Sequence, residues 1–214
     1  MEEKRTLFLG IDLGGREKRT TGICIIENNN IVFSATIFGK ELLSLISPFL
    51  PQIKVIAIDA PLTKGKGKGK MRLYEKFLSS YIFRKEKITP IPPAFMIELV
   101  EFAREIVKKL FQEGFILDIN LIETFPTFIE KACKKSLFLD DFSLLDKHQK
   151  AAFICAKVAN LHAQFQTRYL GYKDGFLFLP EMKFWKKEWV LKFMKAWREK
   201  DRLRYRFLIT NLFD

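Results

Sequence analysis

The sequence contains no uninterrupted apolar run of the roughly 18 residues that a membrane-spanning helix requires. Its first residues, Met1–Arg5, precede an apolar stretch that is too short for a secretory signal. Cysteine is also scarce: Cys24, Cys133 and Cys155 are scattered and odd in number, which excludes a disulfide framework and a CxxC zinc site. We therefore expect a cytoplasmic protein that does not bind membranes and whose cysteines are buried thiols.

Apolar side chains, by contrast, are abundant enough to build a complete core. Hydrophobic residues make up 48% of the 214 residues, and 22 of them are phenylalanine. This composition excludes a disordered or fibrous chain. The length suits one large domain, or one domain with an appendage.

The positive charge is confined to two parts of the chain. The formal net charge of +12 consists of +7 within residues 61–87 and +5 within residues 181–214, while the remaining residues are balanced. A local basic excess is typical of a site that binds a polyanion such as nucleic acid. A lysine-rich surface that keeps the protein soluble would have the same charge, so both interpretations remain open at this point.

The order of hydrophobic runs predicts strands that alternate with helices after an initial hairpin, which indicates an α/β domain with a mixed sheet. Asparagines 28–30 predict the hairpin turn, because asparagine tolerates positive φ. The predicted strands are 6–12, 20–27, 31–37, 54–59, 117–124, 176–179 and 204–210. The predicted helices are 41–50, 71–81, 92–111, 146–168 and 181–200, with a further short helix after Pro126.

Three predicted buried strands end in an acidic residue: Asp12, Asp59 and Glu123. In an open α/β sheet such strand ends face one crevice, so we expect the three carboxylates to converge there. Crowded carboxylates repel one another unless a cation lies between them, and ligand sets of oxygen atoms select Mg²⁺ or Mn²⁺. Two such ions can stabilise the attacking and leaving oxygens of a phosphodiester displacement. The alternative is that each acid caps a helix or lies alone in a loop.

The motifs around these acids resemble the family known as domain of unknown function 429, regarded as predicted nucleases with a ribonuclease H-like fold. The resemblance spans about residues 6–180 and is carried, in order, by the segments 10–15 (GIDLGG), 18–22, 57–61 (AIDAP), Arg72, Pro92-Pro93 with Met96, and 123–126 (ETFP). It implies a hairpin-containing mixed sheet with flanking helices over residues 1–180, to which we add a basic, aromatic-rich helical extension, 181–214, packed on it. It also implies that Asp12 and Asp59 bind metal, with Glu123 as a further acid.

The late helix departs from the family pattern. The family typically has His-Glu-x-Asp-Ala there, whereas this chain has His148-Gln149-Lys150-Ala151-Ala152, without either acid. Asp146 lies about 140° around the helix from Ala151, so we expect it to cap the helix with Gln149 in a capping box. His148 lies on nearly the same face as Ala151, where it could bind a metal, transfer protons or simply pack against a neighbour. Lys150 could instead neutralise a phosphate and favour binding over cleavage.

Several basic residues are candidates for contacts with nucleic acid. Lysines alternate with glycines from Lys64 to Lys70, in a loop that could approach a phosphate backbone without sequence preference or could remain a solvated, flexible segment. The full set of candidates is Lys18, Arg19, Lys64, Lys66, Lys68, Lys70 and Arg72.

Aromatic residues recur every four positions near the C-terminus, at Trp185, Trp189, Phe193 and Trp197. This spacing places them on one face of a helix. We expect the stripe to belong to the core, although an aromatic face could also stack against bases or cover a partner.

Together these patterns lead to three functional hypotheses. The first is a nuclease that cleaves DNA or RNA with Mg²⁺ or Mn²⁺ by a two-metal mechanism, using Asp12, Asp59, Glu123 and His148. The second is a weakened or inactive relative that only binds nucleic acid, because Ala151 replaces the late-helix acid. The third is a phosphotransferase of the actin-like superfamily, since segment 10–15 resembles the first phosphate motif of sugar kinases; however, no second phosphate motif of that kind is visible.

Overall fold

A computed structural model describes residues 5–65, 71–138, 145–202 and 205–213 of the chain. Its main sheet consists of β1 (Leu7–Asp12), β2 (Arg19–Glu27), β3 (Asn30–Phe38), β4 (Ile53–Asp59) and β5 (Leu121–Glu123), in the order β3-β2-β1-β4-β5. Strands β1, β4 and β5 are parallel, and β2 and β3 are antiparallel to their neighbours. With helices on both sides, this is the α/β architecture with a mixed sheet that the sequence predicts.

The predicted hairpin joins β2 to β3. Its turn contains Asn28 and Asn29 at φ values of 57° and 120°, a conformation in which asparagine is less strained than most residues. The side chain of Asn29 accepts hydrogen bonds from Lys157 at 2.5 Å and Asn160 at 3.2 Å. The turn is therefore hydrogen-bonded to the helix Lys147–Ala163, which packs across the sheet.

The helices differ in detail from the predicted ranges. Within the predicted range 71–81 the helix is shorter, Leu73–Leu78, and a separate short helix begins at Tyr81, where the prediction ends. The prolines at 92 and 93 lead into a 3-10 turn, Pro93–Phe95, before the long helix begins. The helices are α1 (Leu42–Ile46), α2 (Leu73–Leu78), α3 (Tyr81–Lys85), α4 (Ile97–Gln112), α5 (Pro126–Ala132), α6 (Lys147–Ala163) and α7 (Lys187–Glu199).

A second, smaller sheet lies beyond α6. It consists of β6 (Thr167–Tyr172), β7 (Gly175–Pro180) and β8 (Ile209–Thr210), in the order β7-β6-β8, and is entirely antiparallel. The predicted helix 146–168 is too long, because the chain leaves α6 at Ala163 and Phe165 adopts a left-handed φ of 58°. Strand β6 therefore replaces the end of that helix.

Helix α6 lies directly against β1 and β2 because two glycines leave room for it. A methyl group at Gly10 would lie 1.9 Å from the carbonyl oxygen of Ala152, and one at Gly22 would lie 2.1 Å from that of His148. Real side chains do not approach a backbone so closely. These glycines fix the height of α6 above the sheet.

The aromatic stripe near the C-terminus belongs to the core, as expected. Trp185, Trp189 and Phe193 are buried, and the ring of Phe193 packs edge-on against Phe77 at a centroid distance of 5.3 Å. Trp185 similarly contacts Phe128, which follows the main sheet, at 5.2 Å. Aromatic side chains of this size bury more apolar area per residue than other side chains, so they contribute strongly to the stability of the core.

The thiols of Cys24, Cys133 and Cys155 are free and buried, in agreement with the sequence. Burial raises the pKa of Cys24 and of Cys133 to about 12, which keeps both thiols protonated and unreactive.

Among the helices in the described part of the chain, none has the length and apolar character needed to cross a membrane.

Candidate functional site

Asp12 and Asp59 stand side by side at the ends of two neighbouring parallel strands. They are register partners of β1 and β4, so their Cα atoms are separated by about one strand spacing, ~4.8 Å. Both side chains, together with Glu123, line one cleft of about 340 Å³. The convergence expected from the strand ends therefore brings all three acids to one place.

The two aspartates are held in an environment that disfavours their charged forms. Burial raises the pKa of Asp12, although the hydrogen bond and charge of His148 act in the opposite direction. Burial, together with the neighbouring charges of Asp12 and Glu123, raises the pKa of Asp59 well above its usual range. A cation between the two aspartates would relieve this cost.

His148 joins the pair from the first turn of α6. Its Nδ1 atom lies 2.8 Å from Oδ2 of Asp12, and both side chains are about four-fifths buried. The capping box predicted from the sequence is confirmed: Asp146 accepts hydrogen bonds from the backbone N–H groups of His148 and Gln149, and Gln149 accepts one from Asp146. The cap holds the start of the helix, and with it the imidazole, in place.

Glu123 reaches the same cleft, but its carboxylate is already occupied. Oε2 accepts hydrogen bonds from Nη1 of Arg72 at 2.6 Å and from the backbone N–H of Leu62 at 2.9 Å. Oε1 accepts one from Nη2 of Arg72 at 2.8 Å and another from the hydroxyl group of Tyr74. Glu123 thus differs from the two aspartates, because protein donors already compensate its charge.

Arg72 is the centre of a buried ion-pair network. Its side chain is 1% exposed, and its guanidinium also donates to Oε1 of Glu75 at 2.5 Å and to the hydroxyl of Thr63 at 3.1 Å. The sequence predicts that Arg72 contacts nucleic acid, whereas in the structure its guanidinium is buried and bound to carboxylates. Burial without such partners would cost several kcal/mol, of the order of 3 to 5.

The other predicted basic residues have different surroundings. Lys18, Arg19 and Lys64 are exposed, and Arg19 donates from Nε to the backbone carbonyl of Thr36 at 3.0 Å. Lys66, Lys68 and Lys70 lie outside the described residues.

Within the described part of the chain, the carboxylate oxygens that would suit a divalent cation are those of the aspartate pair. In the described ranges, no group of three or more His, Cys, Asp or Glu side chains is arranged to hold a metal ion. Asp12 and Asp59 offer carboxylate oxygens, which suit Mg²⁺ or Mn²⁺, whereas Glu123 would have to give up Arg72 and Tyr74 to become a ligand.

Sequence reasoning missed the partners of Arg72. Glu75 and Tyr74 have no role in the predicted site, although the spacing of Arg72 and Glu75 by three residues at a helix start is a recognisable signal.

Comparison with protein-family models, curated proteins and solved structures gives no match. The chemistry of the site therefore has to be inferred from its own residues.

Proposed function

We propose that this protein is a divalent-cation-dependent phosphodiesterase of ribonuclease H-like arrangement that acts on nucleic acid in the cytoplasm. The observation that carries the proposal is the pairing of Asp12 with Asp59 at the ends of β1 and β4, in a cleft where both carboxylates have raised pKa values. Two adjacent carboxylates in a desolvated cleft repel each other and destabilise the folded state. A bound cation that activates substrate would remove that repulsion.

Asp12 and Asp59 would hold Mg²⁺ or Mn²⁺. The bound ion would supply a Lewis acid for a phosphodiester oxygen, and Mg²⁺ typically keeps several waters when only one or two carboxylates bind it. Within this proposal Glu123 organises the cleft through Arg72 and Leu62. The site therefore needs fewer protein ligands than the three carboxylates predicted from the sequence.

His148 orients Asp12 through the contact at Nδ1. A neutral imidazole that donates from Nδ1 presents Nε2 as an acceptor, which suits it to take a proton. This role stands in for the acid that the family resemblance leads us to expect at Ala151.

Nucleic acid as the substrate is supported by the charge of the protein. The net charge is +12, and the segment that follows β4 carries much of the excess. Lys18, which follows β1, and Lys64, which follows β4, are both exposed and therefore free to contact phosphate.

A cleavage assay tests the proposal. Purified protein is incubated with labelled single-stranded, duplex and hybrid oligonucleotides in Mg²⁺, Mn²⁺ or EDTA. The variants Asp12→Asn and Asp59→Asn are compared with Glu130→Gln, at an exposed position of α5. We expect cation-dependent cleavage that both aspartate variants abolish and the control retains. Cleavage that survives in the aspartate variants would refute the assignment.

The second candidate function is binding of nucleic acid without cleavage. It is favoured by the absence of an acid at position 151 and by the ion pair that Glu123 forms with Arg72. Salt-sensitive binding with no turnover in either cation would support this candidate over hydrolysis.

A further inference from the structure

The segment that follows α3 lines the cleft of Asp12 and Asp59, which we call the aspartate cleft. The lining residues of this segment are Lys87, Ile88, Thr89, Pro90 and Ile91. Among the described residues that line the cleft, the only lysine or arginine besides Lys87 is Arg72, whose guanidinium is already bound to two carboxylates. Lys87 is therefore the basic residue that this cleft can offer to a ligand.

The charge of Lys87 is not compensated by any described side chain. Its ammonium group forms no salt bridge, hydrogen bond or cation–π contact within the described ranges. The adjacent acid, Glu86, is paired with Lys192 at 2.6 Å instead. The ammonium group is therefore free to bind an anion.

The backbone of Lys87 has a conformation that favours glycine. Its φ is 56°, in the left-handed region. Its N–H donates to the carbonyl oxygen of Arg84 at 3.0 Å, and the N–H of Ile88 donates to that of Phe83 at 3.4 Å. These two bonds form a Schellman motif at the end of α3, with Lys87 at the position that glycine usually occupies. A lysine there is strained because its Cβ crowds the backbone.

Contacts on both sides hold this strained turn in place. Ile88 is 1% exposed and belongs to the same core cluster as Phe83. From α5, Nζ of Lys131 donates to the carbonyl oxygen of Glu86 at 2.5 Å and to that of Lys87 at 3.4 Å. Strained residues that the surrounding structure holds in this way are concentrated at functional sites. We therefore looked for a function of the Lys87 side chain in the cleft that it lines.

The charges of the whole cleft determine when an anion can bind there. The charged side chains that line it are four carboxylates and two cations: Asp12, Asp59, Glu75, Glu123, Arg72 and Lys87. Their formal charge is −2, which opposes the binding of an anion. A divalent cation at the aspartate pair would bring this charge to zero, and Mg²⁺ is commonly bound by one or two carboxylates together with a phosphate of the substrate. An anionic ligand should therefore bind beside Lys87 only when that cation is present.

We propose that Lys87 binds a phosphate group of the substrate when a divalent cation occupies the aspartate pair. This inference rests on the proposed function and adds to it the residue that recognises the phosphate. The lysine ammonium is a compact point charge with three donors, which suits it to phosphate oxygens. A contact to phosphate carries no information about the base, so Lys87 contributes affinity without sequence preference.

Binding of adenosine 5′-monophosphate tests this inference without any cleavage. Its affinity is measured by titration calorimetry in Mg²⁺ and in EDTA, and adenosine, which lacks the phosphate, is the reference ligand. We expect Lys87→Gly to weaken binding of the nucleotide in Mg²⁺ by about 10- to 100-fold, because it removes a hydrogen bond to a charged group. Lys87→Arg keeps the positive charge and should retain most of the affinity. The affinity for adenosine should be the same in all variants.

Phe165→Gly is the matched control for Lys87→Gly. Phe165 has nearly the same backbone conformation, with a φ of 58°, and its side chain is 87% exposed. It follows the C-terminal end of α6, whereas His148 meets the cleft at the other end, about 25 Å away along the helix. Both glycine variants relieve a left-handed residue, so neither should lower the melting temperature. Only Lys87→Gly should lose affinity for the nucleotide.

The outcomes separate this inference from the proposed function. Equal affinities of Lys87→Gly and Phe165→Gly for the nucleotide would overturn the inference, whatever the cleavage assay shows. The same conclusion would follow if the unmodified protein bound the nucleotide no better in Mg²⁺ than in EDTA, or no better than adenosine. Binding that depends on both Lys87 and Mg²⁺, without cleavage of oligonucleotides, would overturn only the proposed hydrolysis.

Discussion

The guanidinium of Arg72 donates two parallel hydrogen bonds, of 2.6 and 2.8 Å, to the carboxylate of Glu123, and both residues line the cleft that contains the aspartate pair. Of the three acids at the strand ends, Glu123 therefore has the positive charge of a protein side chain, Arg72, beside it. Among the described residues, the other two, Asp12 and Asp59, form no salt bridge with a lysine or arginine, and Asp12 contacts the imidazole of His148. The three strand-end acids therefore divide into one structural carboxylate and two that are available to a cation.

This division predicts that Glu123→Gln destabilises the protein in the absence of metal. The substitution leaves the buried charge of Arg72 with Glu75 as its remaining carboxylate partner, so we expect the free energy of unfolding to fall by about 3 kcal/mol. Urea denaturation in EDTA measures the change, and Glu130→Gln on the surface should change it by less than about 0.5 kcal/mol. An unchanged or increased stability would mean that Glu123 is a repelled carboxylate of the kind that binds metal.

Asp59→Asn should have the opposite effect on stability. Because the folded state raises the pKa of Asp59 well above its usual range, ionised Asp59 opposes folding at neutral pH, and the amide removes that penalty. We expect the melting temperature in EDTA to rise by a few degrees, and stabilisation by Mn²⁺ to disappear. The gain should shrink as the pH falls and vanish below about pH 4, where Asp59 is protonated in both states. A gain that is independent of pH would contradict this explanation.

Much of the site could be predicted from local patterns. Asp12 and Asp59 end runs of buried apolar residues, and Asp146 precedes Gln149 by three residues. The strand ends and the helix cap can therefore be predicted from residues close together in the sequence. The ion pair between Arg72 and Glu123, by contrast, joins positions that are 51 residues apart. The spacing of hydrophobic residues along the chain does not predict a contact of that kind. Long-range ion pairs depend on how loops fold over a sheet, which local patterns do not encode.

Strand β6 of the second sheet was missed for a related reason, whereas the predicted strands 176–179 and 204–210 overlap β7 and β8. The stretch that becomes β6 follows α6 without a proline or glycine to mark the boundary, and the left-handed residue that ends the helix is Phe165 rather than glycine. Strand β6 is defined by its pairing with β7 and β8, and in particular by the hairpin through Lys173 and Asp174. Tertiary pairing, rather than local propensity, therefore decided the conformation there.

His148→Ala should weaken catalysis while leaving the fold intact. The variant removes the contact to Oδ2 of Asp12, so that carboxylate loses its orientation in the cleft. We expect kcat for oligonucleotide cleavage to fall by about 10- to 100-fold, as is typical when the partner of a metal-binding group is removed. Glu130→Gln, at an exposed position of α5, is the control. Equal activities of the two variants would show that the imidazole only fills space.

The position of His148 depends in turn on Gly22, the register partner of Asp12 on β2. A methyl group at this glycine would lie 2.1 Å from the carbonyl oxygen of His148, so Gly22→Ala must lift the first turn of α6 away from the sheet. Overpacking of this kind costs about 1 to 3 kcal/mol, and we expect the variant to lose stability and cleavage together. Gly15→Ala is the control, because its methyl group would meet only the flexible side chain of Lys18 at 3.5 Å. Thermal melts and kcat measured on both variants separate the outcomes: normal activity in Gly22→Ala would show that catalysis does not require α6 to hold the imidazole against Asp12.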